Sequence, residues 1–144
     1  MRAIVQRVAW ARVSVNGNLI GQCGSGLLVL AGAHREDTAT NAVRLADRLV
    51  KLRIFNDADG KMNLALGEGQ GMLVVSNFTV YGETAKNRRP SFTESAPYEK
   101  GQELIEHLVA ELRKAGISVE TGEFGADMQV ELLNDGPVTV IVEG

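Results

Sequence analysis

"MRAIVQRVAWARVSVNGN", residues 1–18, sets apolar and polar side chains in alternation and then closes on an Asn-Gly dipeptide. Alternation with period two places one set of side chains on each face of a strand. Asn-Gly supplies the positive φ angles that a tight two-residue hairpin requires. The stretch therefore predicts a strand, a turn and an antiparallel return. It does not read as a secretory leader, which would show a basic start followed by a continuous apolar run. A further strand is expected over "GLLVLAGA" (26–33). That is the longest apolar run, and it falls well short of the roughly 20 residues that cross a bilayer as a helix.

From Asp37 the period changes. Val43, Ala46, Leu49 and Val50 recur at helical spacing, which predicts an amphipathic helix over roughly 38–51 with Asp37 capping its start. "RIF" (53–55) reads as a short strand, "NDADGK" (56–61) as a polar turn and "GMLVVSNFTVYG" (71–82) as a buried strand bounded by glycines. Residues 83–96 read as a loop. A second helix starts at Pro97, carries Leu104, Ile105, Leu108, Val109 and Leu112 on its apolar face, and stops at Gly116. "ISVET", "DMQVEL" and "VTVIV" complete the chain as strands. Many strands with two separated helices predict one α+β domain over residues 1–144, built on a largely antiparallel, barrel-like β-sheet with two flanking helices.

Composition bounds the function. A chain of 144 residues with 44% hydrophobic and 23% charged residues can bury a core without metal or disulfide staples. Cys23 is the single cysteine, so no internal disulfide exists and a reducing cytoplasm is the expected location, with no membrane partner. The net charge of −3 argues against coating nucleic acid by bulk electrostatics. Local contact with RNA stays open through the basic run "KNRR" (86–89), with Lys51 and Arg53 as further candidates, although a solvated loop is the plainer reading.

The inventory of side-chain catalysts is thin. His107 falls on the polar face of the second helix between Glu103 and Glu111, and His34 follows a strand without a partner motif. A lone cysteine such as Cys23 packs as a small hydrophobe more often than it acts as a nucleophile. No HExxH, CxxC, GxSxG or Walker-type loop occurs, and "GEGQG" (67–71) lacks the lysine and the strand-to-helix context of a phosphate loop. No metal and no cofactor is expected. What remains is "SNFTVYG" (76–82), which sets two hydroxyls, an amide and backbone N–H groups at a strand exit, where an oxyanion could be held.

Near the C-terminus, "NDGPVTV" (134–140) sets a proline at the mouth of a strand. Proline cannot donate to a sheet ladder, so it belongs at an edge, a strand start or a bulge. Two readings fit. Asn134, Asp135 and Gly136 form a hairpin turn from which a strand exits at Pro137, or Gly136 and Pro137 hold an unusual backbone that points bare carbonyls at something.

Together, "SNFTVYG", "RRPSF" (88–92), "ADMQV" (126–130) and "NDGPVTV" resemble the D-aminoacyl-tRNA deacylase family. "MRAIVQRV", "GLLVLAG" and "RIFNDADGKMN" are similar to the same family in the same order, so the resemblance spans nearly the whole chain. It implies an enzyme that hydrolyses the ester between a D-amino acid, or glycine, and tRNA, with the aminoacyl group and the 3′-terminal adenosine as its ligands. It also implies a homodimer in which the Gly136–Pro137 peptide is cis and enters the neighbouring subunit's site, where the two carbonyls receive the substrate's α-amino group. Arg7 would fix that loop. Ser76, Asn77, Phe78 and Thr79 would line the site that holds the ester carbonyl and the adenosine, and Met128 would contribute to the adenosine pocket. Deacylation would then depend on backbone groups and the RNA's own 2′-OH rather than on a side-chain base. One departure stands out: the family usually has Gln where this chain has Asn77, one methylene shorter.

Two other readings compete with the hydrolase. One is a binding module that grips an RNA 3′ end or an aminoacyl group without chemistry, and the other is a small-molecule esterase on the same fold. Incubation with charged tRNA separates the three, because only the first releases amino acid from RNA while ignoring simple esters.

Overall fold

In this computed structural model, which describes residues 1–86 and 88–144, the strand β1 (Arg2–Val15) is long enough to serve two neighbours along one edge. Its first half pairs antiparallel with β3 (Gly26–Gly32) and its second half with β2 (Asn18–Cys23). Asn16 and Gly17 turn the hairpin between β1 and β2 with φ angles of 50° and 79°, the chemistry that Asn-Gly supplies. Along its other edge β1 pairs antiparallel with β8 (Gln129–Glu143).

The sheet then continues in parallel. β6 (Gly71–Ser76) joins β3, and β7 (Ser118–Thr121) joins β6. Parallel neighbours need long crossovers, and each crossover here carries a helix: α1 (Ala39–Val50) between β3 and β6, α2 (Tyr98–Lys114) between β6 and β7. The expected antiparallel character is therefore that of the β1 pairings, and the sheet as a whole is mixed. At its far end β2 returns toward β7. The Gln22 N–H donates to the Glu120 carboxylate at 2.7 Å, and a Cβ on Gly21 would lie 2.4 Å from the Thr121 carbonyl oxygen. This approach curls the sheet nearly into a barrel.

Two cores result. One lies between the sheet and the helices, where Leu27, Val29, Met72 and Val74 meet Leu45, Leu49, Leu108 and Leu112. The other fills the barrel side with Val8, Val13, Leu28, Leu73 and Val75, against which Met128 and Leu132 pack. β3 and β6 are thus buried on both faces, which is why their sequences are unbroken apolar runs. The arm β4 (Phe55–Asn56) and β5 (Met62–Leu64) forms a separate small antiparallel pair, shifted slightly from the strand expected over 53–55. Among the described residues no helix is long and apolar enough to cross a membrane.

Two details of the first helix differ from expectation. Its start is set by Thr38, whose N–H donates to the Asn41 side chain at 2.9 Å, while Asp37 is buried and accepts from the N-terminal ammonium at 2.8 Å and the His34 N–H at 2.6 Å. Its buried stripe is Ala42, Leu45, Ala46 and Leu49, which leaves Val43 exposed. The 3-1-3 spacing of that stripe makes a narrow seam against the sheet, and Val43 lies one residue outside it. The second helix follows expectation: Leu104, Ile105, Leu108, Val109 and Leu112 are all buried, and Gly116 beyond its end takes φ of 87°.

Candidate active site

The parallel ladder of β3 and β6 ends with Ala31 opposite Ser76, and one further bond runs from the Asn77 N–H to the Ala31 carbonyl at 2.8 Å. There the backbone leaves the sheet and winds into a 3-10 turn, Phe78–Tyr81. Asn77 caps that turn. Its Oδ1 accepts from the Thr79 N–H at 3.1 Å and from the Thr79 hydroxyl at 2.5 Å, as short polar side chains do at helix starts. Gly32 lets the turn sit this close to β3, since a Cβ there would lie 2.7 Å from the Asn77 carbonyl oxygen. The Phe78 N–H takes no acceptor among the bonds of the described residues.

A cavity of about 730 Å³ opens beside this turn. Ser76, Asn77 and Phe78 form one wall, and Met128 and Leu132 form the floor toward the barrel core. Tyr98 and Phe124, edge-on to each other with ring centroids 5.0 Å apart, form the opposite rim. The cavity thus brings together four of the residues expected at the site: Ser76, Asn77, Phe78 and Met128. Thr79, Arg7, Gly136 and Pro137 do not line it within their own chain. Among the described lining residues there is no histidine, cysteine, lysine or arginine, and Asp127 is the one carboxylate, exposed at the edge.

The segment "NDGPVTV" is neither a hairpin turn nor a strand start. β8 runs antiparallel to β1 on both sides of it, with Asn134 opposite Val8 and Thr139 opposite Gln6. A single β1 residue, Arg7, therefore faces the four residues of a bulge, 135–138, of which 135–137 are exposed while Val138 is buried in the core. The Gly136–Pro137 peptide in this bulge is cis. Arg7, only 7% exposed, fills the gap left in the ladder. Its Nε donates to the Asp135 carbonyl at 2.7 Å, and its Nη1 donates to the Ile54 carbonyl at 2.7 Å and to Asn56 Oδ1 at 3.2 Å. Asn134 closes the base of the bulge, accepting from the Val138 N–H at 2.8 Å and donating to the Val138 carbonyl at 3.1 Å. Gly136 and Pro137 stay exposed, and their carbonyls take no side-chain donor among the described residues.

His34 is used for structure. Its Nδ1 accepts from the Glu36 N–H at 3.2 Å, so in the neutral ring Nε2 carries the proton and donates to Glu94 at 2.9 Å. That bond, with the Arg35 guanidinium nearby, holds the Glu94 carboxyl below the usual range. Tyr81 lies against the His34 ring, and burial with the Asp37 charge pushes its phenol up to about 12. A second cavity of about 730 Å³ sits at the glycine-rich end, between Cys23, Glu68, Gly69 and Glu120. Burial, with the Glu120 charge as a lesser cause, pushes the Cys23 thiol up, away from the thiolate that nucleophilic chemistry needs, and no histidine lines this cavity among the described residues.

The sequence model of the D-Tyr-tRNA(Tyr) deacylase family matches residues 4–143. The chain belongs to this family. It is 51% identical over 145 residues to the D-aminoacyl-tRNA deacylase of Heliobacterium modesticaldum, covering 100% of this chain and 97% of that one. It is 54% identical to the D-aminoacyl-tRNA deacylase of Anaeromyxobacter dehalogenans, covering 99% and 97%. Among solved structures, a c-Myc DNA unwinding element binding protein superposes with a TM-score of 0.93 at 35% identity, covering 100% of this chain and 99% of that one. A probable eukaryotic D-amino acid tRNA deacylase shares the fold, with a TM-score of 0.81 at 17% identity, covering 99% and 98%.

The structure adds residues that sequence reasoning passed over. Asn134 was legible as turn chemistry, but its service as a clamp on Val138 was not. Tyr98 and Phe124 carried no signal beyond their place beside a helix start and in a loop. The role of Arg7 is directly testable. Arg7→Gln strands the buried Ile54 carbonyl and the part-buried Asp135 carbonyl and is expected to cost about 2–4 kcal/mol, or roughly 10 °C in thermal midpoint for a chain of this size. Arg7→Lys recovers only part, because one ammonium cannot reproduce the guanidinium fork. Thermal unfolding of both variants checks this, and a shift under about 2 °C for Arg7→Gln would mean the bulge is held by other bonds.

Proposed function

We propose that the chain hydrolyses the ester joining a D-amino acid, or glycine, to the 3′-terminal adenosine of tRNA, in the cytoplasm, and releases free amino acid and tRNA. The observation that carries this reading is the cavity at the exit of β6, which gathers Ser76, Asn77, Phe78 and Met128 in a chain matched by the family over residues 4–143. With no imidazole, thiol or amine on its described walls, the cavity favours chemistry driven by placement of the ester rather than by a side-chain base. The Phe78 N–H is the donor we assign to the ester carbonyl as charge develops on it. The ribose 2′-OH, adjacent to the ester, is then the group that assists attack by water, and Met128 packs against the adenosine.

Thr79 is the tempting nucleophile. Its hydroxyl donates to Asn77, an amide oxygen that cannot serve as a base, so a covalent acyl-threonine is not part of this mechanism. Thr79→Ala is expected to keep measurable deacylase activity. A fall of several powers of ten, the usual effect of deleting a true nucleophile, or an acyl-Thr79 adduct in the mass spectrum would overturn the assignment.

The exposed bulge completes the site in this reading. Gly136 and Pro137 do not line their own chain's cavity, and we assign them to that of a second copy related by a two-fold axis. The outer face of β1 and β8 supports such an assembly with exposed Trp10, Leu133 and Ile141. A monomer is then expected to be inactive. Sedimentation as a monomer at assay concentration, with full activity, would sink the cross-subunit arrangement.

Chirality follows from three fixed directions at the substrate Cα. If the two bulge carbonyls take the amino group and residues 76–79 hold the ester carbonyl, one direction remains for the side chain. A D side chain points to solvent and an L side chain runs into the bulge, so rejection needs no pocket for the accepted residue. Glycine has nothing to clash and is cleaved. D-Tyr-, D-Asp-, L-Tyr- and Gly-tRNA assayed at equal enzyme should give comparable rates for all but L-Tyr-tRNA. Stronger discrimination among D side chains than between D and L would show that a side-chain pocket sets specificity, and release of amino acid from simple esters alone would favour an ordinary esterase.

A further inference from the structure

The basic run "KNRR" has no part in the site described so far, and Lys51 and Arg53 are accounted for elsewhere: Lys51 pairs with Asp47, and Arg53 bonds to Asn63. Asn87 of the run lies outside the described residues. Lys86, Arg88 and Arg89 are exposed on a loop whose two ends are both fastened at the cavity. The loop leaves the 3-10 turn at Gly82 and is closed at its neck by two bonds, from the Glu83 N–H to the Ser91 carbonyl at 2.8 Å and back from the Ser91 N–H to the Glu83 carbonyl at 3.0 Å. On the return, Phe92 sets its ring edge-on to Phe78 with centroids 5.1 Å apart. Gly82 makes that approach possible, because a Cβ there would lie 2.9 Å from the Phe92 ring. The Ser95 hydroxyl donates to the Phe78 carbonyl at 3.0 Å, and the chain re-enters the cavity wall at Ala96.

The charge on the loop is locally uncompensated. Residues 84–90 contain no acid. Of the flanking carboxylates, Glu83 accepts from the Ala85 N–H, and Glu94 is engaged by His34 and Arg35. Among the described residues the ion pairs engage Arg2, Arg7, Arg12, Arg35, Lys51 and Lys114, and leave out Lys86, Arg88 and Arg89. In a chain of net charge −3, three cations thus fall within four positions on a loop tied to Phe78 of the cavity wall, and the cavity is itself without cationic side chains among its described lining.

We propose that Lys86, Arg88 and Arg89 form an anchoring site for the phosphates of the RNA strand that leads into the cavity, a contact that binds tRNA without entering the chemistry. The inference rests on the hydrolase reading for the identity of the RNA. A strand whose terminal ester lies against Phe78 must leave across the cavity rim, and the loop is tied to Phe78 itself by Phe92 and Ser95. Charged side chains that meet phosphates position a nucleic acid without reading its sequence. They therefore suit an enzyme that meets the same ester on tRNAs of different sequence.

The test uses the full chain carrying Lys86→Gln, Arg88→Gln and Arg89→Gln together. On D-Tyr-tRNA the variant is expected to raise KM roughly tenfold with kcat unchanged, and on 3′-O-D-tyrosyl-adenosine, which has no phosphate, to match the parent. Binding of uncharged tRNA, read by fluorescence anisotropy, should lose about two to three from the slope of log Kd against log salt. Arg88→Lys with Arg89→Lys keeps the charge and should keep the slope. An unchanged KM and slope, or equal loss on both substrates, would overturn the proposal, the second outcome marking the loop as a support for Phe78. If the parent cleaves neither substrate, the hydrolase reading fails by itself, and the tRNA-binding slope still decides the loop.

Discussion

A buried guanidinium stands where the β1–β8 ladder is interrupted. Every backbone carbonyl taken out of water needs a donor, and the bulge at residues 135–138 removes the ladder that would otherwise supply one. Arg7 replaces it, spanning from the Asp135 carbonyl to the Ile54 carbonyl. This one side chain ties the C-terminal strand to the arm that follows α1. It also leaves Gly136 and Pro137 projecting outward instead of folding back onto the sheet. Had β8 simply continued in register, its edge would present an ordinary row of paired groups and no exposed corner.

The cavity depends on a second consequence of backbone bonding. Parallel pairing of β3 with β6 carries the chain past Ser76 and delivers the Asn77 N–H to Ala31, so the 3-10 turn begins at a fixed point on the barrel rim. The walls around that point come from distant parts of the chain: the start of α2 supplies Tyr98, and the segment after β7 supplies Phe124 and Met128. The backbone at that point is held by packing. Here Met128 sits in the barrel core, and Gly32 and Gly82 give up their side chains so that the turn and Phe92 can close in.

Local signals in the sequence carried far, and non-local ones did not. The Asn-Gly hairpin, the apolar face of α2 and the first half of the strand expected over 71–82 were legible because each depends on residues within a few positions of one another, whereas residues 78–81 of that expected strand wind into the 3-10 turn that Asn77 caps. Spacing alone left the bulge as one of two readings, since its logic runs between Arg7 and Asp135, 128 positions apart, and only the family resemblance joined Arg7 to a cis Gly136–Pro137 peptide. Asp37 misled for the same reason: its carboxylate looks like a helix cap in sequence, yet tertiary folding brings an ammonium to it and hands the cap to Thr38. At the site, the strand exit over 76–79 could be seen from its hydroxyl and amide content, whereas Tyr98 and Phe124 meet only after the chain has passed through a helix and a strand.

The shorter amide at position 77 gains a meaning from this geometry. A side chain that held the substrate would have to extend into the cavity with its oxygen free. The Asn77 oxygen instead turns back onto Thr79, accepting both its N–H and its hydroxyl. Asn reaches that position readily, since an amide one methylene from Cα matches the N–H two residues on. The bonds that Asn77 makes are thus those of a cap, and the backbone N–H beside it, that of Phe78, takes no acceptor among the bonds of the described residues. The length of the amide at this position then decides how the turn is held and leaves the donor of the proposed chemistry in the main chain. The scarcity of catalytic side chains on the cavity wall and the inward bonds of Asn77 are both what the proposed mechanism, which takes its donor from the main chain, requires.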